Sequence, residues 1–443
     1  MAVKVYVGMS GGVDSSLTAA LLKEQGYDVT GVYMKNWTQD LPGMKCPWAD
    51  DLADAKRVAV QLGIPFKVFD FQKEYKQKVV DYMIGEYKAG RTPNPDIMCN
   101  QEVKFKVFLE AALEDGADMI ATGHYARVWH AAESTIGVAR SSLNKSGSSE
   151  VQPEQLVARR VTHTFGEGRT KRANADSNPA HLFPSVHAIA TTTANSSLRS
   201  PRKAEVLAFD RGKRRTAGAS PESHDWQAKL LTAVDTAKDQ TYFLYRVTED
   251  ALAKTLFPLG EFTKPQVREL AAERGLATAT KKDSQGICFV GKVGIKDFLL
   301  QYVDAKPGDI VDKKTGKVVG QHDGAIFYTF GQRHGLGVGG GLPYYVVGKD
   351  MAKNIVYATT DLNDDTLWRN KFTLEQLHWI NDTPTPGKTY QVRTRYRAPL
   401  VDCHFDGDVL VLAESERAIT PGQSAVIYDG ERVLGGGIVA KVQ

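Results

Sequence analysis

Val3-Lys4-Val5-Tyr6-Val7-Gly8-Met9-Ser10-Gly11-Gly12-Val13-Asp14-Ser15-Ser16 is the stretch on which the fold turns. Val3 to Val7 is short, β-branched and aromatic, which predicts a strand. Leu17, Ala20, Leu21 and Leu22 follow the glycines and predict a helix that stops near Gly26. A glycine-rich turn between a strand and a helix sets bare amides and a helix N-terminus at the carboxyl edge of a sheet, a place for phosphate. The turn is neither Gly-x-Gly-x-x-Gly nor Gly-x-x-x-x-Gly-Lys-Ser/Thr, and it has no lysine to reach a γ-phosphate. It offers hydroxyls, amides and one carboxylate, Asp14. Such a loop suits a leaving pyrophosphate carried with Mg2+, because the carboxylate repels phosphate unless a cation intervenes. A plain tight turn is the alternative, but it needs no such set of two glycines, two serines and an aspartate.

Outward from this turn, strands are expected at Tyr27–Met34, Phe66–Phe69 and Met119–Ala121. Helices are expected at Asp51–Leu62, Tyr75–Lys88 and Val103–Glu114. Strands alternating with helices of this length predict an α/β fold of the doubly wound type with a parallel sheet. The pattern stops near residue 130. Residues 141–225 are rich in Ser, Thr, Ala, Arg and Pro without a steady period, and read as a basic, disordered insertion. Short strands at Leu156–Val161 and Ala204–Ala208 are expected to belong to a hairpin that the insertion interrupts. Order resumes at Leu230–Val234, with helices at Asp239–Val247 and Pro265–Glu273. From about residue 308 short strands alternate with Gly, Pro and Asp turns, at Ile310-Val311, Ala325–Thr329, Tyr344–Gly348, Asn354–Tyr357, Tyr390–Tyr396, Asp408–Leu412 and Ala425–Tyr428. That texture predicts a β-barrel-like domain. The expected division is a catalytic domain over 1–254, a small, mainly helical central domain over 255–307 and the barrel over 308–443.

The 443 residues are 42% hydrophobic and 24% charged, which excludes wholesale disorder, collagen and a membrane bundle. No apolar run is long enough to span a bilayer. The formal charge of +4 is uneven. Residues 141–225 carry thirteen Lys/Arg and eight Asp/Glu, so the remainder sums to −1. Any basic binding surface in the body of the protein must therefore be local. The four cysteines, Cys46, Cys99, Cys288 and Cys403, lack the close spacing of a zinc site and are too few for a disulfide framework. With an N-terminus that reads directly as a strand, the expectation is a cytoplasmic protein. Cys99 and Cys288 fall in expected loops, whereas Cys46 and Cys403 read as small buried hydrophobes.

Ser10–Ser16 resembles the pyrophosphate loop of the N-type ATP pyrophosphatases, which adenylate carbonyl oxygens. Within that superfamily the chain resembles the tRNA-specific 2-thiouridylases that modify wobble uridine 34. The likeness runs through Gly8–Ser15, Thr92–Asp96 with Cys99-Asn100, Ala121–Arg127, Lys238–Leu244, Asp283–Phe289 and Arg395–Arg397. It spans nearly the whole chain except 141–225, which stands where the family has a short connection. The loop alone is specific only for the superfamily; the further segments, in order, specify the thiouridylases.

The resemblance implies an adenine-nucleotide alpha-hydrolase-like domain and a tRNA-uridine 2-sulfurtransferase using ATP and Mg2+. Nucleotide contacts fall to Gly8, Met9, Ser10, Gly11, Gly12, Val13, Asp14, Ser15, Met34 and Gly123, with Asp14 reaching Mg2+ through pyrophosphate. Asn94, Pro95 and Asp96 shape the base pocket, Asp96 as polar or acid/base partner. His124, Lys238, Asp239, Gln240, Arg395, Tyr396 and Gln423 contact tRNA. Cys288 receives a persulfide from a sulfur donor protein, and Cys99 resolves it through a transient Cys99–Cys288 disulfide that an external thiol reductant reopens. No membrane partner and a monomer are expected. Each residue also has an ordinary reading: Met34 as a rim methionine, Gly123 as a turn glycine, Asp96 as a turn former, His124 as a satisfied structural histidine. Arg393, Arg395 and Arg397 alternate on an expected strand and so share one face suited to phosphates. A 4-thiouridine synthase is the nearest rival; Cys99 and Cys288 argue against argininosuccinate synthase and GMP synthase-like amidotransferases. A non-catalytic RNA-binding protein is the remoter rival.

Overall fold

The computed structural model describes residues 2–40, 48–131, 228–282, 294–339 and 341–443, all belonging to one contact-connected body. Cys46, Cys288, the insertion and the expected strands at 156–161 and 204–208 lie outside the described residues.

Strands β1 (Lys4–Gly8), β2 (Asp28–Lys35), β3 (Phe66–Asp70), β4 (Met119–Ala121) and β7 (Thr255–Leu256) form a wholly parallel sheet in the order β3-β2-β1-β4-β7. Helices α1 (Val13–Glu24) and α2 (Trp48–Leu62) connect the first three strands. Val5, Val7 and Val32 are fully buried between the helical layers, as a parallel sheet with both faces covered requires. β1 is central, so the turn after it opens where the chain can approach a ligand from either side. The expected strands at Val3–Val7, Tyr27–Met34, Phe66–Phe69 and Met119–Ala121 are present.

Two of the expected helices differ. Tyr75–Lys88 divides into α3 (Gln72–Tyr75), a π-helical stretch at Lys76–Val80 and α4 (Asp81–Lys88). The next begins earlier than expected, as α5 (Pro95–Met98), runs through a π-helix at Cys99–Val107 and ends as α6 (Phe108–Glu114). Widened turns of this kind often accompany functional positions. Asp239–Val247 was expected as a helix, but only Thr241–Phe243 closes, as a 3-10 turn. Tyr242 and Tyr245 are instead buried and bond to Ser424, at its carbonyl oxygen (2.9 Å) and its hydroxyl (3.0 Å). Tertiary anchoring overrides helix propensity there.

The parallel sheet passes the expected boundary at 254, because β7 pairs with β4, and α8 (Lys264–Glu273) packs against α1. The expected central domain thus lends the catalytic domain a strand and a helix. The late β region also divides. β8 (Gly308–Asp312), β9 (Val318–His322), β10 (Tyr345–Asp350) and β11 (Ile355–Thr359) form a four-stranded sheet. Ala325–Thr329, expected as a strand, is a 3-10 turn at Ala325–Phe327 entered through Gly324 at φ 151°. β12 (Trp368–Trp379), β13 (Tyr390–Arg393), β14 (Val401–Asp406), β15 (Val409–Arg417), β16 (Ser424–Asp429) and β17 (Arg432–Val442) run antiparallel. The β12–β17 pairing closes them into a six-stranded barrel. One apolar cluster reaches from Phe108 through Tyr242 and Tyr245 to Val356 and Tyr428, tying all three parts together. Among the described residues no helix is long and apolar enough to cross a membrane.

β5 (Arg127–His130) and β6 (Ala228–Leu231) pair antiparallel, with His130 opposite Ala228, and β6 joins β17. The chain therefore leaves for the insertion and returns at adjacent residues. Deleting 141–225 should leave this pairing closed by a loop of ordinary length. The expected result is activity within about twofold of the intact chain, since loop length enters closure entropy only logarithmically. A product assay on the deleted chain checks it; lost activity with a retained fold would contradict it.

Candidate active site

The turn after β1 is held by its own serines. The Ser10 amide donates to Ser15 Oγ (3.1 Å), the two hydroxyls lie 3.3 Å apart, and Ser16 Oγ donates to the Gly12 carbonyl (2.7 Å). Gly11 adopts φ 73°, and a Cβ there would stand 2.3 Å from the Asp51 carbonyl oxygen, so α2 presses on the turn. A Cβ on Gly123 would lie 2.8 Å from the Ser15 amide nitrogen and 2.9 Å from the Asp14 carbonyl carbon. Gly123 is thus required by the close approach of β4's following loop to the first turn of α1. The Met9 and Val13 side chains are buried beneath the turn, so their contribution to a ligand is backbone. Met34 crosses Gly8, its Cε 3.0 Å from where a Cβ would be, and walls the site beside the turn.

The turn opens into a cavity of about 620 Å3. Its far wall includes Asp96, His124, Lys238, Gln240, Tyr396 and Arg397. Five lysines, at 104, 238, 264, 281 and 282, also line it, giving a basic pocket suited to a polyphosphate. Lys264 and Lys281 pair with carboxylates. Lys264 Nζ lies 2.7 and 2.8 Å from the two oxygens of Asp14, and the Tyr125 hydroxyl donates to the same carboxylate (2.9 Å). Lys281 Nζ bonds Asp51 (2.8 Å) and Asp54 (2.7 Å). Burial pulls the Lys281 ammonium down, but the two carboxylates outweigh it and hold it above the ordinary lysine value.

The cation missing from the turn therefore arrives from 250 residues away. Lys264 is the first residue of α8, positioned by the Thr263–Gln266 capping box and by its own amide bonded to Asp235 (2.8 Å). Nothing in Thr263-Lys264-Pro265 marks it in the sequence beyond a helix start. In this structure Lys264 supplies positive charge at Asp14, where Mg2+ carried by the phosphates was expected. Both carboxylate oxygens are engaged, and among the described residues no group of three His, Cys, Asp or Glu could hold a metal. The turn itself fits the phosphates of ATP, with amides, hydroxyls and a neutralised carboxylate.

Asn94 caps α5 by accepting the Ile97 amide (3.4 Å), and Pro95 occupies the first helical position. Asp96, half-buried, faces the cavity. Cys99 follows one helical turn later, 1% exposed and inside the apolar cluster. The expectation of a loop context for Cys99 is corrected: it begins the π-helix. Cys403, by contrast, sits in the barrel, where burial and then the Asp402 charge push its thiol up to about 12, as for a plain core cysteine. Gln423 Nε2 donates to the Thr92 carbonyl (2.8 Å), and Gly422 at φ 92° abuts the same segment. The barrel tip thus braces the segment that carries Asn94 and Asp96.

Lys238 and Gln240 face the cavity; Asp239 faces away. It is 3% exposed, accepts the Ala233 amide (3.1 Å) and Thr241 hydroxyl (2.8 Å), and pairs with Arg393 (3.2 Å). Asp239 therefore shapes the stretch instead of meeting a ligand. Asp239→Ala should cost about 3–5 kcal/mol by stranding Arg393, read as a lower urea midpoint with ATP affinity retained in the folded fraction.

The expected three-arginine face is corrected as well. β13 ends at Arg393, which is buried in that pair; Arg395 lies beyond the strand and Arg397 adopts φ 63°. Tyr396 packs on Phe243 with ring centroids 4.4 Å apart, below the Arg397 guanidinium. His124 Nδ1 is 2.8 Å from Thr122 Oγ1, with its ring against Phe105 and Phe257. Burial, then the nearby Lys104, holds this imidazole well below its ordinary value, so it is neutral at pH 7.

Three family profiles match the chain. One, described as a tRNA methyl transferase HUP domain, covers residues 3–149 and 205–292 and skips part of the basic segment. The others are a tRNA methyl transferase PRC-barrel domain (296–360) and an aminomethyltransferase beta-barrel domain (369–439), in step with the two β units. A tRNA-specific 2-thiouridylase MnmA from Bacillus subtilis (strain 168) is 40% identical over 99% of this chain and 95% of its own length. Proteins of the same name from Bacillus cytotoxicus and Bacillus licheniformis are 38% and 39% identical over the same shares. A solved chain described as a predicted subunit of tRNA methyltransferase from Methanocaldococcus jannaschii is 25% identical over 27% of this chain and 53% of that one, with a TM-score of 0.21, a likeness too slight to argue from. With such identity sustained across nearly its whole length, this chain belongs to the family of tRNA-specific 2-thiouridylases.

Proposed function

We propose that the protein thiolates C2 of uridine 34, the wobble base of tRNA Lys, Glu and Gln, at the expense of ATP. The single observation behind this reading is one cavity that holds both the phosphate-binding turn and Asp96, with Cys99 one helical turn beyond. The names of the relatives point the same way.

ATP is a substrate here. The turn and the Lys264–Asp14 pair hold its phosphates, while the base, out of the anticodon stack, enters between Asp96 and Tyr396. The uridine C2 oxygen attacks the α-phosphorus, forming an O-adenylate and releasing pyrophosphate. The outer sulfur of a Cys288 persulfide, or sulfide freed from it, attacks C2, and AMP leaves. With the bound persulfide, the Cys99 thiolate then attacks Cys288 Sγ, breaking the S–S bond to the base. That leaves C2=S and a Cys99–Cys288 disulfide, which an external thiol reduces. Cys288 lies outside the described residues, so its approach to Cys99 is part of the proposal. A persulfide-carrying donor protein, a cytoplasmic setting and a monomeric enzyme complete it.

The test is an unmodified anticodon stem-loop with uridine at position 34, incubated with ATP, a persulfide donor and the protein. Mass spectrometry should find one 2-thiouridine at that position, with AMP and pyrophosphate in equal amounts. Product without ATP, or sulfur at another uridine, would sink the proposal.

A further inference from the structure

We propose that the glycine-rich loop Phe330–Gly337 of the four-stranded sheet carries a second RNA contact, gripping backbone phosphates through Arg333 while its base rests on the Ala418 that also holds Arg395; this rests on the tRNA reading above. The loop joins neither the phosphate-binding turn nor the cavity wall, so the activity does not by itself call for it.

Its conformation is set internally. Gly331, Gly335 and Gly337 adopt φ 79°, 79° and 65°. Gln332 Oε1 accepts the Thr329 amide (2.9 Å), and its Nε2 donates to the His334 carbonyl (2.8 Å). The Gly331 amide bonds Val346 (2.7 Å), which bonds back to Gln332 (3.0 Å). Arg333 and His334 stand exposed at the tip of this frame. A flexible loop would lose entropy on binding; this one is already ordered.

Its position ties it to the site. A Cβ on Gly331 would lie 2.4 Å from that of Ala418, so the loop's base rests on the barrel. The Ala418 carbonyl accepts from Arg395 (2.6 Å), which is exposed, and Arg397 two residues on reaches the cavity. Thr329 also touches Thr92 (3.4 Å between hydroxyls), in the braced segment ahead of Asp96. Arg397 thus lines the pocket, Arg395 holds the Ala418 carbonyl, and Arg333 belongs to the loop whose base rests on Ala418. No ion pair joins any of the three to a carboxylate among the described residues.

Uncompensated guanidiniums on ordered backbone fit a polyanion. The chain outside 141–225 sums to −1, so this concentration of positive charge is not a by-product of a basic body. A base drawn into the cavity brings its flanking phosphates to this rim, which favours RNA over an acidic protein face.

Filter binding of unmodified tRNA to the full chain across a potassium chloride series tests it. Arg333→Ala should weaken binding by roughly 3- to 10-fold, alike for different tRNAs, and flatten the log–log salt slope by about 0.7–0.9. Arg333→Glu should weaken it further, Arg333→Lys should retain most of it, and ATP affinity should not move. Arg333→Glu with wild-type affinity and slope, alongside a wild-type chain that binds and thiolates tRNA, overturns the inference alone. The same variant impaired only in taking sulfur from the donor protein also overturns it and gives the ridge to a protein partner. A wild-type chain that binds no tRNA overturns the functional reading with it, and is seen without any variant.

Discussion

Cys99→Ser should abolish 2-thiouridine formation, by a factor on the order of 10³ or more, while pyrophosphate is still released once per bound RNA. The two outcomes separate because the two halves of the reaction use different ends of the site. In the proposed scheme adenylation depends on the turn after β1 and its cationic partner, and resolution of the persulfide depends on a thiol. A serine hydroxyl matches the thiol in size but is a far weaker nucleophile at neutral pH. Its cost to the fold is about 1–3 kcal/mol for a hydroxyl in an apolar cluster, too little to unfold a domain of this size. Cys99 is 1% exposed, so the geometry makes a second demand. The wall over the start of the π-helix must open, or the persulfide segment must reach into it, before the thiols meet. Cys288→Ser should give the same loss, whereas Cys403→Ser should turn over normally. Unchanged product from both Cys99→Ser and Cys288→Ser, measured by mass spectrometry with a persulfide donor, would sink the sulfur-transfer scheme.

Lys264→Ala should lower ATP-dependent pyrophosphate release on the order of 10²-fold, the usual scale for one preorganised charge at a transferring phosphoryl group. Two effects add. The site loses an ammonium at the proposed seat of the phosphates, and Asp14 loses the cation that neutralises it. An unpaired carboxylate at the first turn of α1 then repels the phosphates that the same turn should attract. The double variant Lys264→Ala with Asp14→Asn should therefore bind ATP better than Lys264→Ala alone, because partners in contact do not contribute additively. Lys264→Arg should fall between, since its planar fork cannot occupy the place of a compact ammonium. ATP titration and pyrophosphate release together check the pair. A wild-type rate in Lys264→Ala would remove the lysine from the mechanism.

The catalytic domain was legible because its signals are local. Strand, glycine turn and apolar helix follow one another from Val3 to Leu22, and the side-chain period of each element is set by its own backbone. Asn94 and Pro95 were expected only to shape a base pocket; that they also cap and open a helix came from the structure. The misreadings have a common cause. Asp239–Val247 has the composition of a helix, but Tyr242 and Tyr245 are held by the barrel's Ser424, so distant packing sets the backbone. The arginine face assumed that β13 continued to Tyr396, yet Arg393 turns inward to Asp239 and the strand ends there.

Sequence by itself determined the parallel sheet, the glycine-rich turn after its first strand and the late β texture. Each depends on neighbours within a few residues or on composition. Only the tertiary structure decided which charges meet. It brought Lys264 to Asp14 across 250 positions, withdrew Asp239 and Arg393 into a buried pair, braced Thr92 against Gln423, and rested the Gly331 loop on Ala418. Coulomb attraction and desolvation act through space and are blind to chain separation, so no spacing along the sequence encodes them.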